Sequence, residues 1–124
     1  MNPFATATEL LADLRAGRIT SSELTETYIG RIEKHDTRLN AVVERDFDRA
    51  REQAKAADRG GRGALHGLPI TLKESFNVSG LRTTCGVPRW KDFVSKHDAP
   101  TWAWLRGAGA VLLGKTNVPP MLQD

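Results

Sequence analysis

The residue best placed to do chemistry is Lys73, at the end of a short segment with strand periodicity. In residues 67–75, GLPITLKES, Ile70 and Leu72 alternate with Thr71 and Lys73, so a strand separates the apolar side chains from the lysine. Parallel strands that are covered on both faces are nearly continuous apolar runs, which makes a terminal lysine unusual. Such a lysine either extends into solvent or is compensated and used by the protein.

A second lysine lies in a segment with the letters of a phosphate-binding loop. Residues 109–116 read GAVLLGKT, which matches G-x-x-x-x-G-K-[ST]. That loop must follow a strand and open a helix. Here the Ala-Val-Leu-Leu run has the composition of the strand itself, and Pro119 and Pro120 oppose a helix. Nucleotide binding at residues 109–116 is therefore a minor alternative, and Lys115 and Asn117 are interpreted as hydrogen-bonding residues that fix a loop.

The histidines and the cysteine give no catalytic or metal-binding pattern. His35, His66 and His97 lack the i, i+4 spacing of a helical metal pair, and the single cysteine, Cys85, excludes a two-cysteine metal site. His66 is near Lys73 in the sequence but is interpreted as a loop histidine. Because no neighbour supplies a base for the thiol, a lining or packing role is favoured for Cys85 over a nucleophilic one. We expect no metal and no cofactor.

Capping patterns and hydrophobic periodicity predict the elements that position these residues. Capping boxes open the first two helices at Thr6 and Thr20, and Asp46 and Asp98 are expected to cap the next two. The predicted helices span about 6–17, 20–35, 46–59 and 99–108, and the predicted strands about 39–43, 69–73 and 110–115.

The order of the last three elements determines the predicted topology. A strand, a helix and a strand in succession imply a parallel crossover, with both strands in one sheet. In the third helix, Ala50 and Ala54 belong to a narrow stripe of small residues that allows close approach to a neighbour. The predicted fold class is α/β, with N-terminal helices followed by a mixed or parallel sheet flanked by helices, in a single domain.

Composition restricts the class of protein. A chain of 124 residues that is 40% hydrophobic and 27% charged is typical of a soluble globular domain. The net charge is only +3 and the signs are interspersed, which argues against a nucleic-acid partner. No basic-then-apolar leader opens the sequence, and the longest apolar run, residues 108–114, is too short to cross a bilayer. We expect a cytoplasmic protein with no membrane partner.

Four short motifs follow one another along the chain. They are Gly-Leu-Pro-Ile-Thr-Leu-Lys at 67–73, Thr-Thr-Cys-Gly at 83–86, Leu-Arg-Gly-Ala-Gly-Ala-Val at 105–111 and Gly-Lys-Thr-Asn at 114–117. Together with the two capped helices and Leu-Asn-Ala-Val-Val at 39–43, this succession resembles the amidase signature family. The resemblance covers essentially the whole chain and implies part of that family's fold.

The resemblance implies a serine hydrolase that cleaves carboxamide C–N bonds through an acyl-enzyme. Such an enzyme uses a Ser, cis-Ser, Lys triad, and its partners are a small-molecule amide and water. By its position in the motif, Lys73 is the triad lysine. A lysine that takes a proton through the bridging serine must be neutral near pH 7, a state that burial on a sheet favours and exposure to water does not.

Two departures from the family pattern limit what this chain can do. Glu74 stands where the family usually has aspartate. The glycine- and serine-rich segment that supplies both catalytic serines and the oxyanion hole is expected downstream of Asn117, and the sequence stops at Asp124 before reaching it. None of the serines that the chain contains matches a catalytic position of the family; they are Ser21, Ser22, Ser75, Ser79 and Ser95.

These departures leave two functional hypotheses. The first is the N-terminal portion of an amidase, which carries the lysine and is inactive without its missing C-terminal part. The second is a truncated, non-catalytic interaction module that associates with that part or with itself through exposed sheet edges.

Overall fold

A three-stranded sheet with helices packed against it makes up the computed structural model, which describes residues 1–123. The helices are α1 (Ala7–Arg15), α2 (Ser21–Leu39), α3 (Phe47–Asp58) and α4 (Pro100–Gly107). The strands are β1 (Val42–Arg45), β2 (Pro69–Lys73) and β3 (Val111–Thr116), and short 3-10 turns occur at Pro88–Trp90 and Pro120–Leu122.

The sheet has β3 at its centre, with β1 antiparallel on one side and β2 parallel on the other. The register pairs Lys73 with Thr116 across the parallel ladder and Val42 with Thr116 across the antiparallel one. The central position explains the apolar composition of β3, because residues 111–115 are all buried. The mixed sheet confirms the α/β class, and the parallel pairing of β2 and β3 confirms the predicted crossover.

Two apolar layers hold the sheet between helices. On one side Leu72 and Leu112 pack with Trp102 of α4. On the other side β3 packs against α3 through Ala50 and Ala54, which are both 0% exposed. The predicted small-residue stripe is therefore confirmed, since only side chains of this size let a helix approach a sheet so closely.

The predicted caps of the first two helices form, Asp46 occupies the predicted cap position of α3 without a capping hydrogen bond, and the predicted cap of α4 at Asp98 is wrong by one residue. The capping boxes form at Thr6 and Thr20. Asp46 precedes α3 at φ −131° and ψ 42°, outside the extended geometry of a capping residue, and its carboxylate pairs instead with Arg49 at 2.7 Å. Asp98 lies one residue before the cap of α4, where it accepts the Ser79 N–H at 2.8 Å. Both carboxylates thus bind groups other than the free N–H groups of the first helical turn.

The strand predicted at 39–43 is wrong in position, because α2 continues through Leu39 and β1 begins at Val42. Asn40 ends the helix in the left-handed region, at φ +52°. The carboxylate of Asp36 accepts the N–H groups of Ala41 at 2.7 Å and Val42 at 3.1 Å, which fixes the turn into the strand. The apolar side chain of Leu39 misled the prediction, since it is 71% exposed.

We expect Asp36→Ala to lower the free energy of unfolding by about 2 kcal/mol at pH 7, because it leaves two backbone N–H groups without their charged acceptor. Burial acts to raise the pKa of Asp36, but the N–H groups of Ala41 and Val42 and the guanidinium of Arg45 outweigh burial and lower it. A lowered folded pKa means that the stabilisation is present above the unfolded value near 4 and is lost as the pH falls below it.

Urea denaturation of the chain and the variant at pH 7 and at about pH 3 measures this effect. The difference between the two proteins should shrink at the lower pH. Asp48→Ala is the matched control, since that side chain is exposed, and its effect should stay within about 0.5 kcal/mol. A deficit for Asp36→Ala that is unchanged at pH 3 would contradict the role of its charge.

Candidate active site

Lys73 lies at the carboxyl end of β2, and its side chain is exposed. Thr71 shares its face of the strand and is exposed as well, whereas Leu72 points to the core. Within residues 1–123, β2 pairs only with β3, and the Lys73 amine makes no hydrogen bond or ion pair. The expected burial of this lysine is therefore wrong for the described chain, because no described element covers that face of β2.

Glu74, the next residue, is buried and anchors the loop that follows. Its carboxylate accepts the N–H of Thr84 at 2.8 Å, the Thr84 hydroxyl, and the N–H of Cys85 at 3.2 Å. Its own N–H donates to the carbonyl of Thr116 at 3.0 Å, which extends the pairing of β2 with β3 by one residue. Residues 84 and 85 are thus fixed to the end of β2, one position from Lys73.

The buried lysine of this chain is Lys115, which is 0% exposed. Its Nζ donates to the carbonyl oxygen of Arg82 and to the Thr83 hydroxyl, the latter at 2.8 Å. Burial lowers the pKa of Lys115, and the negative charge of Glu74 opposes this shift. Asn117 likewise donates to the carbonyl of Asn40 at 3.2 Å. The interpretation of Lys115 and Asn117 as residues that fix loops is confirmed.

A β-bulge determines where Lys115 points. Ile70 pairs with Leu112 and Thr71 with Gly114, so β3 has one extra residue at this place. The extra residue reverses the alternation of side chains, and Lys115 faces the same side of the sheet as its partner in the register, Leu72. Simple alternation would place it on the other face, with Leu113.

The segment with phosphate-loop letters is the central strand of the sheet. The N–H groups of Val111 and Leu112 donate to the carbonyl of Leu68 at 2.9 Å and to the side chain of Gln53 at 3.2 Å. Because its backbone is paired and Lys115 is bound to a loop, the segment offers no cradle for phosphate. The geometry gives nucleotide binding no support.

A cleft of about 300 Å³ borders the anchored loop. Thr84 and Gly86 line it together with Glu74, and so do Arg82 and Glu44, which pair at 2.7 Å. The remaining lining residues are Val43, Val87, Pro88 and Lys91. The cleft therefore combines both signs of charge and borders the end of β2 through Glu74.

The comparison with known proteins decides the family. The family model described as Amidase matches residues 23–124. The chain belongs to the amidase signature family. Curated relatives of this amidase-family chain include a glutamyl-tRNA(Gln) amidotransferase subunit from Aromatoleum aromaticum, 45% identical over 118 residues that cover 92% of the chain and 24% of the relative. An indoleacetamide hydrolase from Bradyrhizobium diazoefficiens is 39% identical, with 91% and 22% covered.

Solved structures agree with this family assignment. The peptide amidase from Stenotrophomonas maltophilia superposes with a TM-score of 0.87 at 37% identity, over 94% of this chain and 25% of that one. The amidase-family chain thus spans about a quarter of the length of the relatives that it matches.

Other chemically competent residues of this amidase-family chain lie apart from Lys73 or serve the loop. Cys85 is half-buried at φ +50°, and its carbonyl accepts the Met121 N–H at 2.8 Å. His66 precedes β2 at its opposite end, where its Nε2 is 3.0 Å from the carbonyl of Ala57. Among residues 1–123, no cluster of three or more acidic, histidine or cysteine side chains could bind a metal ion, and no helix is long and apolar enough to span a membrane.

Proposed function

We propose that this chain is the lysine-bearing portion of an amidase-type hydrolase that cleaves the C–N bond of a small carboxamide through an acyl-enzyme. The observation that carries the proposal is the position of Lys73, at the carboxyl end of a strand whose partner loops are fixed beside it, in a chain of the amidase signature family. Ligands and catalytic groups commonly gather at this end of parallel strands.

In the proposed mechanism Lys73 is the base of a Ser, cis-Ser, Lys triad. Its neutral amine accepts a proton from the bridging serine, which in turn takes the proton of the nucleophilic serine as that oxygen attacks the carbonyl carbon. The proton returns along the same route to the departing nitrogen, the C–N bond breaks, and the acyl-enzyme forms. Water then repeats the sequence and releases the carboxylic acid. Both serines belong to residues outside this chain.

The exposure of Lys73 in this chain implies that further residues cover it in the active enzyme. An amine in open water is protonated near pH 7 and is a poor base. The residues that supply the two serines must therefore also cover the outer face of β2, where Thr71 and Lys73 are exposed. On this proposal the 124-residue chain by itself does not hydrolyse amides.

Ammonia release from simple carboxamides tests the proposal, measured for the 124-residue chain and for a polypeptide that continues into a glycine- and serine-rich segment. We expect turnover only by the longer protein, with hydroxamate formation when hydroxylamine intercepts the acyl-enzyme. Robust hydrolysis by the 124-residue chain that is lost on Lys73→Ala would overturn the assignment of both catalytic serines to residues outside this chain. A longer protein without amide hydrolysis would overturn the proposed reaction.

A second candidate function is a non-catalytic interaction module. The observation that favours it is the unpaired outer edge of β2 within residues 1–123, which could add a strand from another chain. Exposed apolar side chains support association as well, since Leu39 is 71% and Trp104 74% exposed. A purified chain that sediments as a monomer and unfolds cooperatively would count against this candidate.

A further inference from the structure

Two buried charged side chains lie beside the end of β2. Lys115 is 0% and Glu74 5% exposed. Lys73, which directly precedes Glu74, is exposed. Charged side chains are rarely buried unless they are paired or hydrogen-bonded, because desolvation disfavours the ionised form. Their burial therefore implies a specific task.

Both charges act on one short segment of the chain, residues 82–85. Lys115 binds its first half through the Arg82 carbonyl and the Thr83 hydroxyl, and Glu74 binds its second half through the N–H groups of Thr84 and Cys85. Four consecutive residues are thus each held by one of the two side chains. The arrangement also matches polarity, since the cation takes oxygen acceptors and the anion takes N–H donors.

The backbone of this segment needs such support. Cys85 has φ +50°, a left-handed backbone conformation that residues other than glycine, asparagine and aspartate adopt at an energetic cost. The segment ends at Gly86, where an added Cβ would lie 3.0 Å from the Val118 carbonyl and 3.0 Å from the Pro120 nitrogen. The loop is therefore pressed closely against the chain that follows β3.

The same two residues are close to Lys73 in the sheet. Glu74 is its neighbour in sequence, and Lys115 precedes Thr116, its partner in the register. The negative charge of Glu74 also favours the ammonium form of Lys115, against the effect of burial on its pKa.

We propose that Lys115 and Glu74 are positioning residues, which clamp residues 82–85 between a buried cation and a buried anion and so fix this loop to the end of β2, next to Lys73 in the sequence. The structural part of this inference stands on the contacts alone, and its catalytic consequence rests on the proposed amidase function. Neither residue is assigned contact with a substrate.

Amide hydrogen exchange tests the structural part without any assay of activity. In Lys115→Met and Glu74→Gln, exchange of the Thr84 and Cys85 amides should become at least tenfold faster, while that of Val111 in β3 changes less than threefold. The matched controls are Lys96→Met and Glu33→Gln, which replace exposed side chains and should leave both sites unchanged. Exchange that accelerates equally in the loop and in β3 would reduce the effect to general destabilisation and overturn the proposal.

A milder variant decides the question if either substitution prevents folding. Thr83→Val removes one of the two acceptors of Lys115 with little change in volume. It should accelerate exchange at Thr84 and Cys85 at least threefold relative to Val111. Unchanged exchange in a folded Thr83→Val protein would then overturn the clamp.

Kinetics of the longer protein test the catalytic consequence. We expect Lys115→Met and Glu74→Gln to lower kcat at least tenfold with little change in KM, and Glu74→Asp, which keeps the carboxylate, to recover kcat to within threefold of the unsubstituted protein. If only the proposed function fails, no variant hydrolyses amides but loop exchange still responds. If exchange responds and kcat does not, the clamp exists without its catalytic role, and the positioning assignment is overturned.

Discussion

Replacing Lys73 by alanine is expected to lower kcat/KM for amide hydrolysis by about 10⁴-fold or more in the longer protein, because triad members act as a unit and the loss of one removes proton transfer altogether. The free energy of unfolding should change by less than about 0.5 kcal/mol in the 124-residue chain, since the side chain is exposed there and bonds to no residue in the range 1–123. Activity and stability should thus separate. Steady-state kinetics and urea denaturation measure the two quantities.

Lys34→Ala is the matched control for this prediction. It removes an exposed lysine from α2, and both kcat/KM and the free energy of unfolding should stay close to those of the unsubstituted protein. Lys73→Arg serves a second purpose, because arginine keeps the positive charge but cannot give up its proton near neutral pH. It should be as inactive as the alanine variant. Retention of a tenth or more of the activity by Lys73→Arg would show that the charge matters rather than the base.

Local sequence signals predicted the parts of the fold that depend on neighbours a few residues apart. The two capping boxes involve residues three positions apart, such as Thr20 and Glu23, and both form. The alternation around Ile70 and Leu72 predicted β2, and the apolar run predicted β3. Strand, helix and strand in succession were then sufficient for the parallel pairing.

Contacts between distant segments decided the features that the sequence did not reveal. The start of α2 has a second cap, in which the carboxylate of Asp58 accepts the N–H groups of Ser21 at 2.7 Å and Ser22 at 3.1 Å. The partners of Lys115 are more than thirty positions away in the sequence. No periodicity encodes such pairs, so the chain's buried lysine could not be identified from its own segment.

In the candidate site, too, local sequence predicted some features and distant contacts determined the others. The motif placed Lys73 at the end of a strand, which the structure has, but its burial depends on elements packed over β2. The inward direction of Lys115 depends on the β-bulge before it. A prediction that alternates side chains strictly between the two faces of a strand cannot include such a bulge. Glycine within a strand is the one sequence signal for such a bulge, and Gly114 lies next to Lys115.

Gly114→Ala is expected to lower the free energy of unfolding by about 3 kcal/mol, the upper range for overpacking a core. A Cβ at this buried position in the central strand would collide with the carbonyl oxygen of Glu44 and would lie 2.9 Å from Cγ1 of Val42. Because the obstacle includes backbone of β1, a side-chain rotation cannot relieve it. The substitution must separate β1 from β3 or shift the bulge, and the second course would turn Lys115 away from the loop that it holds.

Gly107→Ala is the matched control for this prediction, since it makes the same change at the end of α4 with no atom within 4 Å of the new Cβ. Alanine is the better helix former, so this variant should be unchanged or more stable by up to about 1 kcal/mol. Urea denaturation followed by circular dichroism compares the two variants under identical conditions. A loss below about 0.5 kcal/mol for Gly114→Ala would mean that β1 does not approach β3 as closely as the antiparallel pairing requires, and would overturn that pairing at Gly114.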